Sequence, residues 1–303
     1  VRIVDEPNAA ALERAAAEIL DAPHTVADML PAARQAAEKL NWSDAARRWI
    51  ETLDQIAARP DTLTLPLPSP THGVSVPPAG PRPYSIYRLA AAGDVIGCQP
   101  VVAELQRRGH KVDFHTASQF RDLVENMGAR WRPYESKPEG ERIILDGATE
   151  CRNTESCCAA DAFQDHSDIG ALIKTPTLNV SGPDKADPKL IAFNAFSAAP
   201  QMRSLDESTA SAVMEGLLST GFTPVLLGVR APKKIPKGVI NKVGTTKSLL
   251  AAAAEAARCA GLITVDTGLM HAAAAVGVKT LALFSVMPSG ARTPHYPTVL
   301  PLD

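Results

Sequence analysis

The sequence has no apolar run of the roughly 18 to 20 residues that a helix needs to cross a bilayer. Its N-terminus also lacks a basic stretch followed by an apolar signal core. Neither a transmembrane segment nor a secretory leader is expected, and the chain reads as soluble and cytoplasmic. An excess of one charge is missing too: 31 Lys and Arg face 33 Asp and Glu, for a net charge of -2. Without a basic face there is no electrostatic ground for a duplex nucleic-acid partner. The five cysteines, Cys98, Cys151, Cys157, Cys158 and Cys259, are odd in number and form no C-x-x-C pair. They read as reduced thiols, not a disulfide framework or a metal cluster, so no metal is expected. No G-x-G-x-x-G turn follows a first strand, because Ala90-Ala91-Ala92-Gly93 lacks the glycine spacing. That argues against an NAD-dependent oxidoreductase or a sugar-nucleotide epimerase, and no cofactor is expected.

What is present suits a globular protein: 303 residues, 45% hydrophobic and 21% charged, enough for two domains or three small ones. Residues 1–58 are helical in character, with Leu12, Ala16, Ile19 and Leu20 at helix spacing and an apolar stripe of Trp42, Ala46, Trp49, Ile50 and Leu53. From 59 to 83 recurrent prolines predict a semi-rigid linker.

Beyond the linker the pattern changes to alternating strands and helices. Strands are predicted over 85–89, 111–115 and 143–145, with helices over 93–108 and 118–126. Ser181-Gly182-Pro183-Asp184 is a cluster of turn residues that marks a second boundary. Strands then recur over 190–194, 224–227, 261–265 and 280–284, with helices over 205–219, 248–259 and 269–276. Such alternation predicts parallel sheets in two α/β domains, 84–182 and 183–303. Ligands of such sheets bind at the carboxyl ends of the strands, so a cleft between the two domains is the expected site.

Chemistry concentrates in Val265-Asp266-Thr267-Gly268-Leu269-Met270-His271, where a buried strand runs straight into an alanine-rich helix. The first turn of that helix presents unpaired N–H groups that a phosphate satisfies. Gly268 permits close backbone approach, Thr267 offers a hydroxyl, and His271 lies one turn beyond on the same face. Spacing alone serves equally well for a plain cap by Asp266 and Thr267 and for a core histidine.

The segment 261–284 resembles the donor-site signature of glycosyltransferase family nine, the ADP-heptose:lipopolysaccharide heptosyltransferases. Val243-Gly244-Thr245-Thr246-Lys247-Ser248-Leu249 resembles the strand and loop that precede it. The resemblance implies a GT-B-like α/β fold, two Rossmann-like parallel-sheet domains facing a cleft, with a nucleotide diphosphate sugar held mainly by the second.

In the first domain, Arg88-Leu89-Ala90-Ala91-Ala92-Gly93-Asp94-Val95-Ile96 resembles the family's motif after strand one, and Asp94 matches its proposed general base. An inverting transfer needs a carboxylate to draw the proton from the attacking hydroxyl, and a helix start favours the ionised form. An ordinary helix-start acid is the other reading. Phe193-Asn194-Ala195-Phe196-Ser197 resembles a third family segment, with Ser197 and Arg203 as diphosphate contacts. Here the chain departs from the family pattern: Met202-Arg203-Ser204 stands where Lys-Arg-Trp-like residues are usual, so the lysine is absent. Asp146-Gly147-Ala148-Thr149-Glu150 resembles an acceptor-side loop, which with Gly93 makes Asp146 and Glu150 acceptor-side candidates.

The function this implies is transfer of a sugar from a nucleotide diphosphate sugar, ADP-linked or another, to a glycan or lipopolysaccharide-type acceptor. Peripheral contact with a membrane is compatible with a lipid-linked acceptor. A catalytically degenerate sugar-nucleotide-binding or assembly module is the alternative, favoured by the absent lysine and by an end that looks truncated. Residues 1–58 resemble the closing helices of family four glycosyltransferases, as if they were the tail of a preceding transferase domain. The missing initiator Met and the end at Asp303 suggest a fragment or processed chain, with a truncated second domain or a circular permutation.

Overall fold

A computed structural model describes residues 81–89, 91–149, 159–171, 173–181, 185–198 and 203–303. The expectations for 1–58, nearly all of the proline-rich segment, Glu150, Cys151, Cys157 and Cys158 lie outside the described residues.

Two all-parallel sheets carry the fold. In the first, β1 (Pro83–Tyr87) pairs with β2 (Lys111–Thr116) on one side and β4 (Glu141–Ile144) on the other, and β3 (Arg130–Pro133) lies outside β2. In the second, β5 (Asp187–Asn194) lies between β6 (Thr223–Leu226) and β8 (Cys259–Val265). Two-residue β7 (Ile240–Asn241) extends the β6 edge, while β9 (Thr280–Leu283) and β10 (Val299–Leu302) extend the β8 edge. The strand order reverses beside β1 in one sheet and beside β5 in the other. Loops that leave neighbouring strands in opposite directions open a crevice at such points, where α/β proteins bind ligands.

The central strands are buried because their side chains are apolar on both faces, as helix-covered parallel strands require. Ile86, Phe114, Phe193 and Leu262 are fully or almost fully enclosed. The helices are α1 (Ala92–Gly97), α2 (Gln99–Arg107), α3 (Arg121–Asn126), α4 (Ala159–Ser167), α5 (Glu207–Ser219), α6 (Leu249–Ala257) and α7 (Gly268–Ala275). None of the described helices is long and apolar enough to cross a membrane.

Helix α7 joins the two halves. Every residue from Leu269 to Ala275 is buried, as expected of a helix without a polar face. Ala272, Ala274 and Ala275 pack into the core that contains Ile86, Leu105 and Phe114, whereas Leu269 and Ala273 pack with Ala192 and Leu262 of the other sheet. Alanine makes this double contact possible, because a larger side chain would hold one of the two surfaces away.

The structure divides some predicted elements and adds others. The helix expected over 93–108 breaks at Cys98 into α1 and α2. Pro100 is the cause: in an unbroken helix its ring would meet the carbonyl four residues back, and in the first turn of a new helix its missing N–H costs nothing. Strand β3, Arg-Trp-Arg-Pro, reads as a charged loop by composition. It forms because Arg130 and Arg132 reach Asp113 on β2 at 2.6 and 3.0 Å. Burial raises the Asp113 pKa, but the two guanidiniums outweigh it and hold the carboxyl below its ordinary value. Helix α4, β7 and β10 were likewise not anticipated, being short and, for β10, interrupted by Pro301.

Candidate functional site

Strand β1 ends at Tyr87, and Arg88 turns inward behind it, 3% exposed. Its guanidinium donates to the Leu145 carbonyl at 3.0 Å and to Asp94 Oδ2 at 2.5 Å. The Ala91 N–H also donates to Asp94 Oδ2, at 3.3 Å. This is the reach-back by which a third-position acid closes the first turn of a helix. Asp94 Oδ1 takes neither bond, and Arg292 Nη1 stands 3.7 Å from it. Among the described residues the base candidate therefore has one oxygen fixed and one without a hydrogen bond.

Asp146 lies on the neighbouring loop after β4. It accepts from the Leu89 N–H at 3.0 Å and from the Tyr134 hydroxyl at 2.6 Å. One oxygen thus braces the β1 loop and the other holds the segment after β3, and the Tyr134 hydroxyl is held above its ordinary pKa first by this hydrogen bond and then by burial.

In the second sheet, β5 ends in Asn194 and β8 runs into Asp266 and α7. Asn194 Nδ2 donates to the Thr264 and Thr267 hydroxyl oxygens at 3.3 and 3.2 Å. The Thr267 hydroxyl oxygen in turn caps α7 by accepting from the Met270 N–H at 3.4 Å. Thr267 therefore performs the capping role that spacing left open. Its oxygen ties three elements together at the helix start. Asp266 is 3% exposed and accepts from Arg203 Nη1 at 3.1 Å. The Ser197 N–H donates to the Ser204 hydroxyl oxygen at 2.9 Å, which places Ser197 on the same loop system as Arg203.

The two groups of residues meet at Gly93 and His271. A Cβ built on Gly93 would stand 2.6 Å from His271 Cδ2, and one on Gly268 would stand 2.9 Å from the Ala92 Cβ. These two glycines let the β1 loop and the start of α7 touch. His271 Nδ1 lies 3.2 Å from the Tyr296 hydroxyl. Complete burial pushes its imidazole down to about 4, against a favourable contribution from Asp266. It is neutral at pH 7 and serves as a hydrogen-bonding group, not as a cation.

The direction of this shift sets a pH dependence. Below the ordinary value of 6.5 an unfolded chain takes up a proton that buried His271 refuses, so stability is lost as pH falls from 6.5 to about 4. His115, desolvated on β2, is shifted the same way. Urea unfolding of His271→Gln between pH 7 and 4.5 is expected to show a shallower loss than the parent, by up to about 1.4 kcal/mol per pH unit. Identical slopes would show that His271 does not carry the effect.

The structure thus brings Gly93, Asp94, Asp266, Thr267, Gly268, His271 and Arg203 to the paired strand ends, with Ser197 and Asp146 on the flanking loops. Arg88, Arg292, Asn194 and Tyr296 also belong there and were not singled out from the sequence. Asn194, a polar residue at the end of an apolar strand, carried a usable signal. Arg292 carried none, since its partner lies far away in the chain. Among the described residues, no three His, Cys, Asp or Glu side chains gather as ion ligands, and Cys98 and Cys259 are buried free thiols.

Comparison with known proteins adds three findings. Residues 231–298 match the family described as glycosyltransferase family 9 (heptosyltransferase), a span that includes the start of α7. A search of curated protein sequences finds no match. Among solved structures, a family 9 glycosyl transferase from Veillonella parvula DSM 2008 is similar at 16% identity and a TM-score of 0.55, over 74% of this chain and 86% of that one. E. coli heptosyltransferase WaaC, solved with ADP, gives 14% identity and 0.55 over 72% and 92%. E. coli ADP-heptose lps heptosyltransferase II gives 15% and 0.50 over 73% and 90%. At these identities the likeness is one of fold: two Rossmann-like parallel sheets of GT-B type, as the sequence implied.

Proposed function

We infer that this chain is a glycosyltransferase of the heptosyltransferase-like kind, which takes a sugar from a nucleotide diphosphate donor and passes it to a glycan or lipopolysaccharide-type acceptor. The observation that carries the reading is the junction of the two strand-end loops, where Asp94 and the start of α7 are joined through Gly93 and His271. One loop supplies a carboxylate and the other a helix start, the two groups that displacement of a diphosphate requires.

In this mechanism Arg88 and the Ala91 N–H fix Asp94 Oδ2, leaving Oδ1 to accept the proton of the acceptor hydroxyl as that oxygen attacks the anomeric carbon. The attack comes from the face opposite the leaving group, so configuration inverts. Negative charge then grows on the departing diphosphate, where the N–H groups of the first α7 turn and the Arg203 guanidinium stabilise it. Asp266 holds Arg203 in place for this. Neutral His271 contributes no cation and keeps the junction packed through Tyr296.

Calorimetry with ADP- and UDP-sugars is the direct test. One of them should bind the parent chain, and Asp266→Ala should weaken that binding by about 10-fold or more, because Arg203 loses its charged partner. Failure of every donor to bind the parent would remove the reading. A second reading, a sugar-nucleotide binder that has lost turnover, draws support from the Thr267 oxygen already committed to capping α7. Donor binding without transfer to any acceptor would favour it.

A further inference from the structure

The three arginines and three aspartates at the junction balance in charge but not in hydrogen bonding. Arg88 hydrogen-bonds Asp94, and Arg203 hydrogen-bonds Asp266. Both Asp146 oxygens are taken by Leu89 and Tyr134. One guanidinium is left over, that of Arg292. Its side chain is 18% exposed, and among the described residues its only ionic neighbour is Asp94 Oδ1, at 3.7 Å. That separation is too long for a hydrogen bond. Among the described residues the Arg292 side chain hydrogen-bonds none.

The Arg292 guanidinium offers five N–H donors, and none of its nitrogens is among the buried unpartnered atoms of the described residues, so they are reachable from the site. A diphosphate oxygen can engage them with charge-assisted hydrogen bonds. The segment that presents it is firmly braced. Asp303 accepts from the Ser289 N–H at 2.8 Å and from the Ser289 hydroxyl at 2.6 Å. The N–H groups of Arg292 and Thr293 both donate to the Ser289 carbonyl at 2.9 Å. Four residues beyond Arg292, Tyr296 reaches His271 on α7. The backbone that presents the guanidinium is therefore ordered before any ligand arrives, so the binding of an anion has only the side chain left to order. Its charge is felt at His271, whose pKa it helps to lower after burial has done most.

We propose that Arg292 is a donor-binding residue, whose guanidinium, facing Asp94 Oδ1 without a hydrogen bond, engages the diphosphate of the nucleotide sugar beside the start of α7. The proposal rests on the glycosyltransferase reading above and adds a residue from the β9–β10 segment to that donor site. When the diphosphate draws Arg292 to itself, it also moves that cation away from Asp94 Oδ1, so donor binding leaves the oxygen open to the acceptor hydroxyl.

Calorimetric titration with ADP and with adenosine separates diphosphate contacts from nucleoside contacts. Arg292→Gln is expected to bind ADP about 10-fold or more weakly than the parent, with adenosine affinity unchanged and Arg292→Lys in between. ADP affinity within about twofold of the parent would overturn the proposal. So would an equal loss for adenosine, which marks a general disturbance of the site. If the parent chain binds neither ADP nor any nucleotide sugar, the donor-site reading itself fails, a result distinct from an unaffected Arg292→Gln.

Discussion

Asp94→Asn should abolish sugar transfer, lowering kcat by roughly 10²- to 10⁴-fold, the usual contribution of a general base, while nucleotide affinity stays close to that of the parent. The substitution suits the question because asparagine keeps the size of the side chain and an oxygen that can accept from Arg88 and the Ala91 N–H, the two bonds that close the start of α1. Arg88 is buried, and Asp94→Ala would remove the hydrogen-bond acceptor as well as the compensating charge, at a cost of about 3–5 kcal/mol, whereas asparagine removes the charge alone. Loss of activity in the alanine variant would then report folding as much as chemistry. Steady-state transfer by Asp94→Asn within tenfold of the parent would show that another group takes the proton.

Gly93→Ala is the second substitution with a large expected effect. The new methyl would stand 2.6 Å from His271 Cδ2 and 2.9 Å from Nε2, distances that real contacts do not tolerate. His271 cannot easily yield, since it is buried on α7 between two cores and bonded to Tyr296. The β1 loop must therefore move away from α7, carrying Asp94 with it. A destabilisation of roughly 1–3 kcal/mol is expected from overpacking. Transfer should fall by about 100-fold, because an ångström of misplacement at the reacting groups costs that much. Thermal unfolding and donor affinity separate the two consequences. The double variant Gly93→Ala, His271→Ala, in which the ring is gone, should recover much of the lost stability. Failure to recover would show that the glycine is needed for some reason other than His271.

Much of this fold was legible in the sequence because buried parallel strands are continuous apolar runs and their helices carry a different period. The strands at 85–89, 111–115, 190–194 and 261–265 were placed within a few residues of β1, β2, β5 and β8. The strands that escaped notice, β3, β7 and β10, are short edge strands that gain their structure from a single neighbouring strand. Strand β3 shows this plainly: nothing within Arg130–Pro133 is strand-like until Asp113 is beside it. The site divides in the same way. Asp266, Thr267, Gly268 and His271 stand in one short segment, so local spacing could suggest a phosphate cradle. The same spacing fitted an ordinary cap, and the Thr267 oxygen does act as a cap.

The sequence by itself determined the alternation that makes two parallel sheets, the strand-to-helix turn at Asp266 and the glycines that free two backbones to approach. Those are properties of neighbouring residues. Only the tertiary structure decided that Gly93 and Gly268 free their backbones toward each other, that Arg88 and Arg203 are each matched to an aspartate, and that Arg292 has no hydrogen-bonded partner among the described residues. The physical reason is that the pairing of charged donors with acceptors at a site is settled among residues gathered from many parts of the chain, and no stretch of sequence contains that pairing.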